Sequence, residues 1–418
     1  MILLIARKEL LDHLLSLKFH VSMAVMTVLL GLSGYVMYQD YRLRMDNYAV
    51  QKQRAVPRPG EAGLMVVVEP RALSVFAKGL DEVMTRGYTL TAYLGIEPFQ
   101  RQTPADSLFS LFAPPDLLYI VKVLLSLIAV LFAYDAVSGE KETGTLKLVL
   151  SSAISRGRLV AGKMLGGLAA IMLPLVTLLT GVVVVLVAQP GIRLVSGDLA
   201  RLGLLVVAAM LYVALFFALG MLVSTLARTS STALMVLLLL WAGIVFAIPN
   251  VGNLVAEQLA PAGSAQTQEM LRRQGFAKNR FLAIQSRGRD PEGSVAAFNR
   301  DYDRLVEEHR SKLDATVGLS KNICRLSPAA TLTYIFTDLA GTGLEEQRRL
   351  NRVLMEFKSR MLERRRRAAA EPLQFEFRPA GVAEVFQRGA LVDFSLLALT
   401  CAALFALASI AFVRTDPR

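Results

Sequence analysis

The apolar positions of this 418-residue chain fall in long blocks and not in short alternating periods. Six blocks reach or approach the roughly 20 residues that a helix needs to cross a hydrocarbon core of about 30 Å. They cover 19–38, 117–137, 165–188, 199–226, 233–248 and 390–413. The fifth is the shortest, with room to extend at either end. The apolar run from Leu165 to Leu226 is broken by "QPGIRLVSGD", a Pro/Gly/Ser turn with charge, so it predicts two spans rather than one.

The stretches between the blocks have characters of their own. In "MILLIARKELLDHLLSLK", Leu3, Leu10, Leu14 and Leu17 fall near one helical face, with Arg7, Lys8, Asp12 and His13 off it. Four charged or titratable positions interrupt the apolar run, which favours an amphipathic surface helix over 1–17 rather than an extension of the first span. The segment 39–116 mixes a strand pattern, "LMVVVEP", with a short helical one, "SVFAKGLDEVM". The segment 253–389 reads as mostly helical. Phe298, Tyr302, Leu305, His309 and Leu313 recur at helical spacing, and Leu350, Leu354, Phe357 and Met361 do so again. Between these two helices "LSPAATL" breaks the pattern, and "GTG" at 341–343 precedes the second. No internal repeat is visible.

The expected architecture is therefore an all-α integral membrane protein. Its order is an amphipathic helix (1–17), a first span (18–38), a polar segment (39–116), a second span (117–137), a loop (138–163), three spans (164–252), a helical polar domain (253–389) and a last span (390–413). Composition agrees: 54 % of residues are hydrophobic and 19 % charged, against about 25 % charged in soluble domains. Mean hydropathy is +0.47.

Charge sets the orientation. Lys141, Lys147, Arg156, Arg158 and Lys163 lie between the second and third spans. Arg7, Lys8 and Lys18 precede the first span, Arg228 lies in the turn between the fourth and fifth, and Arg414 and Arg418 are in the tail. Alternating helices put all of these on one side, which the positive-inside rule makes the cytoplasm. The expected location is the bacterial cytoplasmic (inner) membrane, multi-pass, with both termini cytoplasmic. The short loop 189–198, with a single Arg193, and the two long polar segments then lie outside. The net charge of +12 and pI near 9.8 consequently do not point to nucleic acid. The "RRRR" run at 364–367 has two readings, a solvated basic helix end or a contact for anionic headgroups or an acidic partner. The apolar stretch after the N-terminus is long and lacks a small-residue cleavage site, so no cleaved signal peptide is expected. Cys324 and Cys401 fall in different compartments, which argues against a disulfide, and no metal or redox motif is present.

"GRLVAGKM", 157–164, has the spacing of a phosphate-binding loop. Such a loop needs a Ser or Thr after its Lys to ligate Mg²⁺, and a strand before it. Here Met164 takes the hydroxyl position and a membrane span follows, so the match is incidental. Gly162, Gly166 and Gly167 suit close helix packing, and Lys163 is expected at the membrane interface, at headgroup level, with Arg7 and Lys8. His13, His20 and His309 are far apart, the Glu307–Glu308 pair lies on a charged face, and no nucleophile motif occurs. Lys122, Asp135 and Asp393 sit near span ends rather than at the midplane, where ion-coupled carriers place ionisable groups.

The most informative stretch is "YDAVSGEKETGTLKLVLSSAISRGRLVAGK", 134–163. Its "TLKLVLSS" run fits a short helix lying across the loop, able to enter a groove on a soluble partner. From physics alone an ordinary basic-anchored surface loop is an equal reading. The residues Glu140, Lys141, Glu142, Gly144, Thr145, Leu146, Ser155, Arg156, Gly162 and Lys163 resemble the cytoplasmic signature of ABC-2-type transporter permeases. In that signature an acidic "E-K-E-x-G-T-L" run is followed by "S-R" and "G-K". The elbow helix, the six spans and the "LSPAATLTYIFTDLAGTG" segment resemble a branch with enlarged extracytoplasmic domains.

The resemblance implies a non-enzymatic permease subunit of an exporter. It implies two paired copies, a homodimer, each receiving a separate ATP-binding cassette ATPase that holds the ATP and Mg, with no cofactor bound by this chain itself. Glu140, Lys141, Glu142, Gly144, Thr145, Leu146, Ser155 and Arg156 would couple to that ATPase, and the outer domains suggest an extracytoplasmic partner protein. Membrane lipid is a further partner. The competing reading is a membrane-anchored sensor or scaffold that binds a partner through its outer helices.

Overall fold

In the computed structural model, the described residues are 1–55, 63–84, 87–91, 95–98, 115–151, 155–192, 194–195, 197–259, 304, 308, 311–366 and 375–414. Most of the helix expected around Phe298–His309 lies outside them. Among the described residues six helices are long and apolar enough to cross a membrane, as the block pattern predicts.

Helix α1 (Ile2–Leu14) is separated from α2 (Leu17–Arg54) by a break at Ser16. The Ser16 hydroxyl donates to the His13 carbonyl at 2.6 Å and accepts from the Phe19 amide at 3.2 Å, ending one helix and capping the next. Helix α2 runs past the expected end of the first span as far as Arg54. The apolar block ends near Tyr38, but nothing after it breaks a helix before 55.

The second span, α3 (117–133), begins at Asp116, whose side chain accepts from the Tyr119 amide at 2.8 Å. Two short helices follow, α4 (Ser138–Glu142) and α5 (Thr145–Leu150). Then come α6 (Arg156–Val187), continuous through Pro174, α7 (Asp198–Leu226) and α8 (Ser230–Leu259). After α9 (311–324) and α10 (Pro328–Ala340), α11 (Leu344–Arg366) leads to α12 (Val382–Arg414).

Helix α7 is the hub: in its most apolar 18-residue stretch 67 % of residues are buried, against 17 % in that of α8 and 22 % in that of α12. It packs chiefly on α12 and α3, with α10 on a further side. Gly220 allows the closest approach: a Cβ there would stand 2.4 Å from the Ala133 Cβ of α3. Gly220→Val should therefore force these helices apart and cost about 1–3 kcal/mol by overpacking. Thermal unfolding of the purified protein in detergent would show it, and an unchanged midpoint would contradict the packing described.

At the end of the bundle away from α4 and α5 sits a small head. Strands β1 (Gly63–Val67), β2 (Gly87–Thr91) and β3 (Gly95–Pro98) form an antiparallel sheet in the order β1-β2-β3, with Val66 opposite Tyr88 and Leu90 opposite Ile96. Alternation turns Val66, Tyr88 and Leu90 inward against Leu350, Leu354 and Phe357 of α11, so the helical spacing read in that segment is the spacing of a buried stripe. The stretch 74–84 forms no single short helix. A 3₁₀ turn at Ala72–Val75 and one α turn at Asp81–Met84 flank Gly79, held at φ +47° where a Cβ would lie 2.7 Å from the Thr342 carbonyl oxygen. A buried Arg44–Asp81 ion pair ties this segment to α2.

The "LSPAATL" stretch is more than a break. Ser327 caps α10 by accepting from the Ala329 amide at 3.2 Å, Pro328 occupies the first turn, and Gly341 ends the helix at φ +71°. At 13 residues α10 is too short to span a membrane, and it buries one face against α7 and α12.

Candidate functional site

The loop between the second and third spans is built into the end of the bundle by four other elements. The amides of Val137 and Ser138 donate to the buried Ser224 hydroxyl of α7, at 3.1 and 3.0 Å. Lys141 then donates to the carbonyls of Thr225 and Ala227, the latter at 3.1 Å. These lie at the C-terminus of α7, where unpaired carbonyls concentrate partial negative charge and a cation is favoured. Glu142 accepts from the Ser230 hydroxyl, in the first residue of α8, at 2.7 Å. Helix α4 thus grips the turn between α7 and α8 through three consecutive contact points.

Glu140 faces the other way. Its Oε1 accepts from Lys163 Nζ at 2.7 Å, and the same ammonium reaches Glu9 Oε1 of α1 at 3.1 Å and the Ala136 carbonyl at 3.2 Å. Lys163 is 4 % exposed, so its ammonium is enclosed by protein groups and does not reach out to solvent. It lies in the second turn of α6 rather than in the loop, and a buried ammonium is held by two carboxylates and a carbonyl instead of by solvent. The glycines before and after it explain why. A Cβ at Gly162 would lie 2.6 Å from Ile5 Cγ2, and one at Gly166 would lie 2.5 Å from the Ala6 carbonyl oxygen. Their absence lets the backbone of α1 rest on α6 and delivers Glu9 to Lys163. At Gly167 the missing Cβ makes room for Phe217 of α7, at 2.6 Å. Beside this cluster Lys18 pairs with Asp135, and His13 packs its ring 5.5 Å from that of Phe132. Burial lowers the His13 pKa from its ordinary value, against the pull of Glu9 and Asp135.

The half-buried face of α1 carries Ile5, Ala6, Glu9 and His13 together with Leu10 and Leu14 of the expected apolar stripe, whereas Leu3 and Leu17 of that stripe are exposed. Leu3, Leu4, Leu11 and Leu15 point outward with Arg7 among them. Lys8 is also exposed and pairs with Asp12 at 3.5 Å. The outer face is therefore apolar with basic residues interspersed, the composition of a helix lying in a membrane interface.

Gly144 at φ +73° separates α4 from α5, and a left-handed residue there lets the chain reverse without strain. The Thr143 and Thr145 hydroxyls lie 2.9 Å apart across it. Of α5, Leu146 is buried, while Thr145, Lys147 and Leu148 are exposed, Leu148 at 72 %. Ser155 takes the N-cap position of α6, its carbonyl accepting from the amides of Arg158 and Leu159 at 3.0 and 3.1 Å. Arg156 donates to the Val413 carbonyl near the end of α12 at 3.0 Å.

The residues singled out from the sequence therefore divide. Glu140, Lys141, Glu142, Leu146, Arg156 and Lys163 are anchors, Glu142 while remaining exposed, and Gly144, Thr145 and Ser155 lie on or next to the open face. Sequence reasoning missed Glu9, Ser224, Ser230 and Leu148. Ser224–Thr225 at the end of an apolar run and an acid at position 9 beside Leu10 and Leu11 were the available signals.

The stretch 157–164 lies wholly within α6, whose backbone amides are used by the helix, so no phosphate cradle exists there. Among the described residues no group of three or more His, Cys, Asp or Glu side chains is placed to hold a metal ion.

Residues 3–416 match the family model described as "ABC-2 family transporter protein". Two relatives share a local similarity. Over 43 residues the chain is 56 % identical to the "Probable ABC transporter permease protein NosY" of Pseudomonas aeruginosa, and 51 % identical to the protein of the same name from Stutzerimonas stutzeri. Each match spans 10 % of this chain and 16 % of the relative's length.

Proposed function

The chain belongs to the ABC-2 family of transporter proteins, a multi-pass membrane protein of the ABC transporter class, and from that premise we propose that it is a permease subunit that converts ATP hydrolysis in a separate ATPase chain into substrate export. The observation that carries this reading is the loop 138–155. It has one face locked to α1, α6, α7 and α8, and another face, Thr145, Lys147 and Leu148, left open to a partner.

The loop end of the bundle is the cytoplasmic end in this reading, and the head lies outside. ATP and Mg are held by the ATPase, and this chain contributes no catalytic group. A force applied at α5 passes through α4 to three places at once: to the C-terminus of α7 by Lys141, to the start of α8 by Glu142, and to α1 and α6 by Glu140 and Lys163. The elbow helix α1, lying in the interface, moves with α6 because the glycine stripe and the Glu9–Lys163 pair join them. The weakly buried faces of α8 and α12 leave apolar surface for a second copy of the chain and for lipid. Two copies would rock against each other as the ATPases close.

The connection is tested at its hinge and its link to α8. Gly144→Val puts a β-branched residue at φ +73°, where L-residues are disfavoured by about 1–2 kcal/mol. Glu142→Ala removes the contact with Ser230. Neither position is buried, so both variants should fold and still associate with the ATPase. The ATPase activity stimulated by the permease should fall severalfold. Co-purification of candidate ATPases followed by ATP turnover in proteoliposomes measures this. If no ATPase associates under any nucleotide condition, the permease reading fails, and full stimulation in both variants removes the loop from the coupling path.

A further inference from the structure

Between α2 and α6, in the half of the bundle nearer the head, the helices part along a groove of about 470 Å³. Its walls are apolar or small, with Leu30, Gly31 and Gly34 on one side and Leu178, Gly181 and Val182 on the other. Tyr35 and Val185 at its rim are 62 % and 60 % exposed, so it opens on the flank that a bilayer would cover. A Cβ added at Gly31 or at Gly181 would meet nothing within 4 Å. The groove is real space that larger side chains would fill.

The groove ends at Tyr38 and Gln189. One helical turn further along α2, Tyr41 and Met45 line a second cavity of about 540 Å³, closed by the turn after α6, the first turn of α7 and the head. This cavity is charged. Arg201 is 6 % exposed, and although its terminal nitrogens donate to the carbonyls of Leu339 and Ala380, its Nε has no hydrogen-bond partner among the described residues. Arg71 also lines it, paired through one nitrogen with Glu346 at 2.9 Å. The acids on its wall are Glu69, which is exposed, and Asp198, which accepts from the Val195 amide at 2.8 Å and lies 4.0 Å from Arg201.

An apolar slot open to the bilayer flank lies within one turn of a cavity holding both signs of charge, the two separated by the Tyr38 hydroxyl, which donates to the Pro190 carbonyl at 3.1 Å. A soluble zwitterion would not use the slot, and a bare alkyl chain would not use the arginines. We propose that this chain binds one zwitterionic aminophospholipid, with an acyl chain in the α2–α6 groove, the phosphate facing Arg201 and Arg71, and the primary ammonium facing Glu69. The acids on the wall disfavour a headgroup of net negative charge. A quaternary ammonium has no N–H to donate to Glu69, which separates ethanolamine from choline headgroups.

The test uses the full chain in nanodiscs of equal parts phosphatidylethanolamine, phosphatidylcholine and phosphatidylglycerol with identical acyl chains. After extraction into mild detergent, native mass spectrometry counts the lipids retained. Phosphatidylethanolamine should be retained preferentially, at about one per chain. Gly181→Leu and Gly31→Leu, each displacing about two methylenes of the acyl chain, should lower retention about tenfold. Glu69→Gln should keep retention but erase the preference for ethanolamine over choline. Retention in the input ratio by the native chain overturns the proposal, and so does native-like retention in both glycine variants. A Gly181→Cys chain that forms disulfide-linked dimers through this groove overturns it as well, because a second copy of the chain would then be the occupant.

Discussion

Lys163→Met is expected to destabilise the protein by about 3 kcal/mol, the lower end of the range for removing one partner of a buried ion pair. The ammonium at 4 % exposure is the shared partner of Glu9 and Glu140. Methionine fills its space but leaves two carboxylates facing each other, and Glu140 Oε2 is already buried without a hydrogen bond. Both acids retain some solvent contact, at 15 % and 23 % of their side chains, which is why the cost should not reach the upper end. Adding Glu140→Gln to Lys163→Met should recover part of the loss, because it removes one of the two unpaired charges. Thermal unfolding followed by size-exclusion in detergent reads both effects. A Lys163→Met protein that melts with the native one would return this lysine to the headgroup layer and dissolve the link between α1 and α4.

That contrast marks what was legible in the sequence. The six spans were legible because hydrocarbon thickness imposes a length that no other physics imitates, and the blocks 117–137 and 199–226 carry it unbroken. The stripe Leu350, Leu354, Phe357 was legible because helical period survives in a polar segment. The glycines at 162, 166 and 167 announced close packing, but not against what. Glu9 is 154 residues from Lys163, and nothing local joins them. The same distance hid the sheet: β2 and β3 are short, the sequence between them, Ala92-Tyr93-Leu94, carries no hairpin-turn signal, and β1 acquires its meaning only when paired with β2 and covered by α11. Helix α10 was hidden for the opposite reason. Its apolar run is shorter than a span, so Ser327-Pro328 read as punctuation rather than as the start of a buried helix.

Leu148→Asp should abolish the association with the ATPase while leaving the fold intact. Leu148 is 72 % exposed on α5, with Leu146 on the opposite side carrying the contact to the bundle. A substitution at such a position normally changes stability by less than about 0.5 kcal/mol. In the partner's groove the same side chain would be the apolar anchor of a short helix, worth about 2–3 kcal/mol when buried, and a carboxylate in its place adds an unpaired charge to the desolvation cost. Together these amount to at least about a hundredfold in affinity. Leu146→Ala is the control that separates docking from loop integrity, since it opens a cavity beneath α5 and should cost about 2–3 kcal/mol of stability. The measurements are co-purification of the ATPase, permease-stimulated ATP turnover and thermal unfolding, made on the same preparations. Leu148→Asp should lose the first two and keep the third, whereas Leu146→Ala should lower the third. If Leu148→Asp supports native turnover, the open face of α5 is not where the ATPase sits, and the force on α7 and α8 must enter elsewhere.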